Sequence, residues 1–367
     1  MHVTFKNWDL ANKNVFLRID GNVPINDGKI INDFKLRALI PTLNFLKHAH
    51  AHVTIATHIG NPNNPASLHS TDIIQQWLNV HGYGKSHILE NLRLDPGELN
   101  HDQQFAQHLA KKMDFYINDA WGTLHRNDTS LTVLPQLFSP EKRSLGLLVE
   151  REINALAPLK NNPDQPYLLL LGGNKLRTKL PLLKDFIVQN KITTIALLPA
   201  IAYTFLKALN KNVGQSLIDL SLLNDAQEII QLAYTNNIEL ILPVDFLYKD
   251  SQTSKELKLC SLDNFPDHGI GVTIGPKSKK FLQQTIEYAK TILYNGLMGY
   301  SDIPNSLEPV HELFTAIANS KGYSIIGGGE SITEVERLNL TNKINFCSTG
   351  GGSTLCYISG KKLPGLL

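Results

Sequence analysis

The chain has 367 residues, 42% hydrophobic and 19% charged, with a formal net charge of +2 at pH 7. That length predicts two domains. The near-neutral charge, with no Lys/Arg tract carrying interleaved aromatics, argues against nucleic acid as a partner. Three cysteines, Cys260, Cys347 and Cys356, include no C-x-x-C pair, which fits a reducing compartment and argues against a disulfide frame or a zinc site. No apolar run is long enough to span a bilayer, so no membrane is expected. The opening residues, Met1-His2-Val3-Thr4-Phe5-Lys6, show no basic flank followed by an apolar stretch, and the expected location is the cytoplasm.

Short β-like runs alternate with helical patterns throughout, which predicts an α/β protein with mostly parallel strands. In the first half, strands are predicted over 15–19, 53–57, 87–90 and 115–118, with helices over 36–48, 72–80 and 103–112. A polar stretch at 140–143 precedes a helix over 147–159. The clearest linker follows, Asn161-Asn162-Pro163-Asp164-Gln165-Pro166. A second series has strands over 167–171, 194–198, 239–242, 291–294, 324–326 and 345–348.

Ligands of open α/β sheets sit beyond the carboxyl ends of the strands. In the first half those ends carry Asp20 and Asn22, His58, Arg93, and Asn118 with His125 and Arg126 just beyond. Cations and hydrogen-bonding groups on several strand ends suit a small anion. In the second half the ends carry Gly172-Gly173-Asn174-Lys175, Pro199-Ala200 and Asn295-Gly296. Two strand–glycine–helix units complete them, Gly327-Gly328-Gly329-Glu330-Ser331 and Thr349-Gly350-Gly351-Gly352-Ser353. Bare backbone N–H groups at a helix N-terminus are a candidate phosphate site, and that side suits polyphosphate. A cationic pocket and a glycine-lined one suggest phosphoryl transfer between two substrates.

At this point the sequence resembles the phosphoglycerate kinase family. The motifs run in order from Arg18-Ile19-Asp20-Gly21-Asn22-Val23-Pro24 and Thr57-His58-Ile59-Gly60 through Leu89-Glu90-Asn91-Leu92-Arg93 and Asn118-Asp119-Ala120-Trp121-Gly122. They continue with Leu171-Gly172-Gly173-Asn174-Lys175, Leu242-Pro243-Val244-Asp245, Ile274-Gly275-Pro276-Lys277, the glycine triplets and Leu363-Pro364-Gly365. The resemblance implies two doubly wound parallel-sheet (Rossmann-like) domains joined by a helical hinge: residues 1–148 completed by a tail over 353–367, a hinge helix over 149–163, and residues 164–352. It implies a monomer whose first domain binds 3-phosphoglycerate or 1,3-bisphosphoglycerate. Its second domain would bind ATP or ADP with Mg2+.

Carried over by position, Asp20, Asn22, Lys35, His58, Asn61, Arg93 and Arg126 would hold the acid. Gly172, Lys175, Lys179, Asn295, Asp302, Gly328, Gly329, Glu330 and Ser331 would hold the nucleotide. Lys35, Lys175, Gly350 and Gly351 would serve the reaction, and Glu330 the metal. A carboxylate attacking a phosphate is already ionised at pH 7, so no general base is needed. Catalysis then rests on alignment and positive charge.

The chain departs from the family pattern at several points. Lys35 stands in place of an arginine, losing the two-pronged donor fork. Such a loss costs roughly 1.5–3 kcal/mol, about ten- to a hundredfold in rate. Arg37 could compensate only by a register shift, since it faces another side of the helix. Asn61 replaces a second arginine, Leu198-Pro199-Ala200 three glycines, Asp302 a glutamate, Leu297 a proline and Glu330 an aspartate. The stretch from 65 to 90 is short, as if lacking a helix and a strand. Two other functions therefore stand beside the kinase: a non-catalytic binding protein, and a kinase for a different carboxylate. Asp119 and Asp245 also admit a plainer reading, each as the cap of the turn that follows it.

Overall fold

The computed structural model describes residues 4–61, 64 and 67–366. The sequence expectation beginning at residue 65 falls partly outside them. The chain forms two α/β units. The first runs to Ala157 and takes back Gly352–Tyr357 and the chain from Lys361, while the second spans Pro158–Gly351 with Ile358–Gly360.

The first unit contains β1 (Asn14–Ile19), a hairpin of β2 (Ile25–Asn26) and β3 (Lys29–Ile30), β4 (His52–Ala56), β5 (His87–Ile88), β6 (Phe115–Asp119) and β7 (Arg143–Leu145). Its five-stranded sheet is parallel throughout, in the order β5-β4-β1-β6-β7. Both faces are covered, so the buried part of β1, residues 15–19, reads as an apolar run broken only by Arg18. Alternate residues serve different cores. Val15, Leu17 and Ile19 pack with Leu43, Leu46, Ile74 and Leu78, whereas Phe16 packs with Ala106, Leu109 and Leu134.

The second unit contains β8 (Tyr167–Leu171), β9 (Thr194–Leu197), β10 (Glu239–Ile241), β11 (Asp245–Lys249), β12 (Lys258–Ser261), β13 (Ile270–Ile274), β14 (Thr291–Asn295), β15 (Tyr323–Gly327) and β16 (Phe346–Ser348). Six of these form a parallel sheet in the order β10-β9-β8-β14-β15-β16. The fold class is thus mixed α/β with two Rossmann-like parallel sheets. Helix Leu147–Asn161 carries the chain from one unit into the other, with Pro158 inside it.

Three details differ from expectation. The helix expected over 36–48 is two helices, Phe34–Arg37 and Ile40–His48. Pro41 sits in the first turn of the second, where its missing N–H costs nothing. The polar stretch at 140–143 leads into the edge strand β7. Strands β12-β11-β13 form a separate antiparallel sheet that the periodicity did not suggest. β12 is largely exposed and β11 carries a bulge at Leu247/Tyr248, so neither shows clean alternation. No helix among the described residues is long and apolar enough to cross a membrane.

Candidate functional site

The carboxyl ends of β1, β4 and β6 and the turns after them gather the cations of the first unit. Asp20 and Asn22 follow β1 directly. Lys35 reaches back from the short helix after the hairpin, with Nζ 2.7 Å from Asp20 Oδ2 and 3.2 Å from the Asn22 carbonyl. Gly60 ties two further members together. Its N–H donates to Asn22 Oδ1 at 3.0 Å, and its carbonyl accepts from Arg93 at 2.8 Å. Only glycine fits there, since φ is +90° and a Cβ would lie 1.9 Å from the Ser67 carbonyl oxygen.

Arg93 is buried beside Asp128, with an Nη2–Oδ2 separation of 3.5 Å. Its Nε and Nη2 have no hydrogen-bond partner, nor does Nε of Arg126. Burial and the neighbouring Arg126 charge both oppose the Arg93 cation, yet a guanidinium stays charged in water-exposed or buried protein sites alike. Two close cations with orphaned donors mark a place for an anion.

His58 is buried behind them. Burial first, then the charges of Arg18, Arg93, Arg126 and Lys35, hold its pKa well below the usual histidine range, so the ring is neutral at pH 7. It is therefore a neutral hydrogen-bonding group, with one donor and one acceptor nitrogen, and not a cation.

In the second unit the glycine corners pack backbone against backbone. Gly173 and Gly296 have φ of +80° and +99°. A Cβ on Gly296 would meet the Gly172 carbonyl oxygen at 2.3 Å. Lys179 fills the seam, donating from Nζ to the carbonyls of Gly172 at 2.5 Å and Asn295 at 3.3 Å. Burial, helped by the nearby Lys175 charge and opposed by Glu330, pushes its pKa down to about 7. Lys175 itself is exposed at the N-cap of helix Leu176–Val188.

Gly328, with φ +100°, caps helix Gly329–Arg337, and its N–H donates to the Gly350 carbonyl at 3.1 Å. Asn295 Nδ2 donates to the Gly351 carbonyl at 3.4 Å. The hydroxyl of Ser331 is buried without a hydrogen-bond partner in the first turn, next to exposed Gly329 and Glu330. The structure thus brings Gly172, Lys179, Asn295, Gly328, Gly350 and Gly351 together. Asp302 lies exposed in the turns after β14, and no described hydrogen bond ties it to these corners.

Asn61 is likewise exposed, its N–H donating to Ser67 Oγ at 2.9 Å. Arg37 pairs with Asp33 at 2.7 Å and not with Asp20, so no register shift substitutes it for Lys35. Asp245 accepts from the N–H groups of Lys277 and Ser278, both at 2.8 Å, and caps helix Pro276–Tyr288. Asp119 accepts from Val149 N–H at 3.1 Å and Thr42 Oγ1 at 2.6 Å at the start of helix Leu147–Asn161. Both aspartates thus cap backbone, but of helices distant in the sequence and not of the turns that follow them.

Sequence reasoning passed over Arg18, Glu98 and Asp128, the buried charges beneath the first site. An arginine within an apolar strand run, Phe16-Leu17-Arg18-Ile19, was the available signal.

One unit whose strand ends collect cations and another whose strand ends are glycine turns define a two-domain α/β protein with a candidate anion site in each unit. The family model for phosphoglycerate kinase matches residues 5–82 and 70–361. Those stretches overlap where helix Asp72–Val80 is the one helix among the described residues between β4 and β5. Phosphoglycerate kinase from Coxiella burnetii is similar in structure, with a TM-score of 0.81 and 29% identity over 100% of this chain and 98% of that one. Phosphoglycerate kinase from Pyrococcus horikoshii OT3 gives a TM-score of 0.86 and 27% identity over 100% and 97%. The chain belongs to the phosphoglycerate kinase family.

Proposed function

We propose that this protein is a phosphotransferase that moves the γ-phosphoryl group of ATP reversibly onto the carboxylate of 3-phosphoglycerate, as in glycolysis. The observation that carries the reading is the pair of hydrogen-bond-deficient guanidinium groups of buried Arg93 and half-buried Arg126 beside a neutral His58. Those donors suit the phosphate of the acid. Lys35 and Asn22 suit its carboxylate end, and Asp20, an acceptor only, suits its hydroxyl. In the second unit, Lys175, Lys179 and the amides of Gly328, Gly329, Gly350 and Gly351 suit a polyphosphate.

In the forward direction a carboxylate oxygen bonds to the γ-phosphorus as the bond to the bridging oxygen breaks, giving an acyl phosphate and ADP. The attacking oxygen carries no proton to remove, so no general base is needed. Lysines and backbone amides stabilise the moving phosphoryl group. Transfer requires closure of the two half-sites around both substrates.

Glu330, exposed in the first turn after Gly328, suits the single protein carboxylate that a nucleotide-bound Mg2+ commonly uses. No cluster of three or more metal-ligating side chains occurs among the described residues. Bound there, Mg2+ would neutralise charge on the β- and γ-phosphates. The residues expected to work as a soluble monomer's active site are otherwise those named above.

The test is a coupled assay with ATP, Mg2+ and 3-phosphoglycerate. Saturable turnover that disappears in a Lys175→Ala variant supports the reading, whereas wild-type turnover no greater than that of the variant rejects it. Calorimetric binding of phosphoglycerate without turnover would indicate a binding protein. Preference for another acid would indicate a different carboxylate kinase.

A further inference from the structure

Beneath the first site lies a network of charges that no reading of the strand ends required. Arg18 belongs to β1 and falls on the same sheet face as Phe16, with no exposed surface. Its Nε donates to Ser130 Oγ at 2.8 Å and its Nη1 to the Ile19 carbonyl. Its Nη2 lies 3.4 Å from His58 Nδ1 and 3.7 Å from Glu98 Oε1.

Glu98 is equally buried and accepts twice from Ser130, from the N–H at 2.9 Å and from the hydroxyl at 2.6 Å. The Ser130 hydroxyl therefore spends its hydrogen on Glu98 and accepts from Arg18. The Ser130 carbonyl accepts from Tyr116 OH at 2.8 Å, closing the network. A buried carboxylate and guanidinium are thus locked in one geometry by a serine that bonds both.

We propose that Arg18 and Glu98 act together as positioning residues, orienting the His58 ring and leaving its hydrogen on Nε2. The argument is one of donors. A guanidinium can only donate, so Nδ1 of His58 must accept from it and cannot carry a hydrogen. The tautomer that remains presents Nε2–H, the form able to donate to an anion in the cationic pole. The charges bearing on the ring come from separate elements: Arg18 on β1, Lys35 on helix Phe34–Arg37, Arg93, and Arg126 after β6. Glu98 and Asp128 are the carboxylates paired behind Arg18 and Arg93. Glu98 keeps Arg18 in place without touching the ring itself.

This inference rests on the first unit binding an anionic acid, but its main readout does not. Nitrogen-15 NMR of the imidazole rings distinguishes the bare from the hydrogen-bearing nitrogen. The wild-type protein is expected to show His58 Nδ1 bare and Nε2 bearing hydrogen throughout the neutral range. Removing either partner alone strands a buried charge and threatens folding, so the informative variant replaces both, Arg18→Met with Glu98→Met. That variant should show a mixed His58 tautomer and protonation at least one pH unit higher. Its KM for 3-phosphoglycerate should rise about tenfold while KM for ATP is unchanged. Glu98→Gln leaves Arg18 a hydrogen-bond acceptor in place of its countercharge, a milder loss than truncation, and should fall between the two.

A folded double variant with the wild-type tautomer and titration of His58 would overturn the proposal. A wild-type tautomer as expected, with no phosphoglycerate binding at all, would overturn the proposed function and leave this positioning role standing.

Discussion

Lys179 offers the sharpest physical test. Its ammonium is buried between the Gly172 and Asn295 carbonyls, and its pKa is lowered from the ordinary 10.5 to about 7. Below pH 7 the group is charged in both folded and unfolded chains, and the burial cost counts in full. Between about pH 7 and 10.5 the folded protein releases a proton that the unfolded chain keeps, so stability rises with pH. Above that window the group is neutral in both states and the gain is complete. The slope is half developed at pH 7 and reaches about 1.4 kcal/mol per pH unit above it, which gives about 2.3 kcal/mol from pH 7 to 9. Lys179→Met removes this term and leaves the Gly172 carbonyl without its donor, a pH-independent cost of about 1–3 kcal/mol. The assay is urea denaturation of both proteins at several pH values, followed by far-ultraviolet circular dichroism. Tryptophan emission would miss the event, since Trp8, Trp77 and Trp121 all lie in the first unit. The stability difference between wild type and variant should widen by over 2 kcal/mol across that range. Parallel profiles, within 0.5 kcal/mol of a constant offset, would refute the reasoning.

Other consequences follow from single positions. Ala200 has φ of +75° and ψ of −54°, a conformation that costs a residue with a Cβ about 1–3 kcal/mol, so Ala200→Gly should raise the denaturation midpoint, and an unchanged or lower midpoint would contradict this. Gly146→Ala would place a Cβ 2.2 Å from the Asp119 carboxyl carbon, disturbing the cap of helix Leu147–Asn161. A loss of about 1–3 kcal/mol is expected in thermal or chemical unfolding. Lys35→Arg should raise kcat several-fold in the coupled assay if lysine is the weaker donor at this place, and a fall would show a pocket adapted to lysine.

The sequence carried most of the two sheets, because buried parallel strands write themselves as apolar runs such as Tyr167–Leu171. It carried helix Asp72–Val80 to the residue, since Ile74, Trp77 and Leu78 recur at helical spacing. The antiparallel sheet escaped because its strands are short, partly exposed and bulged. At the first site, the residues at strand ends were legible from topology alone. Their buried partners were not, because Glu98 comes from a short turn whose position beside β1 is a tertiary fact. The same applies to Lys179. Spacing puts it one turn after Lys175, but only packing shows that one lysine is exposed and the other sealed in the seam.

The arrangement of ion pairs bears on how the first site would select a ligand. Arg18 is matched by Glu98, Lys35 by Asp20 and Arg93 by Asp128. Arg126 is the one cation of this group with no carboxylate partner among the described residues. A singly charged acid would meet only that uncompensated charge. A ligand with a phosphate and a carboxylate could instead bridge Arg126 to Arg93 and engage Lys35, with Asn22 and Gly60 transmitting any shift between the two ends. Because each existing pair must be loosened, the gain comes from hydrogen bonds left unmade on Arg93 and Arg126 more than from net charge. Geometry, and not electrostatic attraction alone, would then decide which acid fits: its two anionic ends would have to reach both Arg93 and Asn22, the residues that Gly60 ties together.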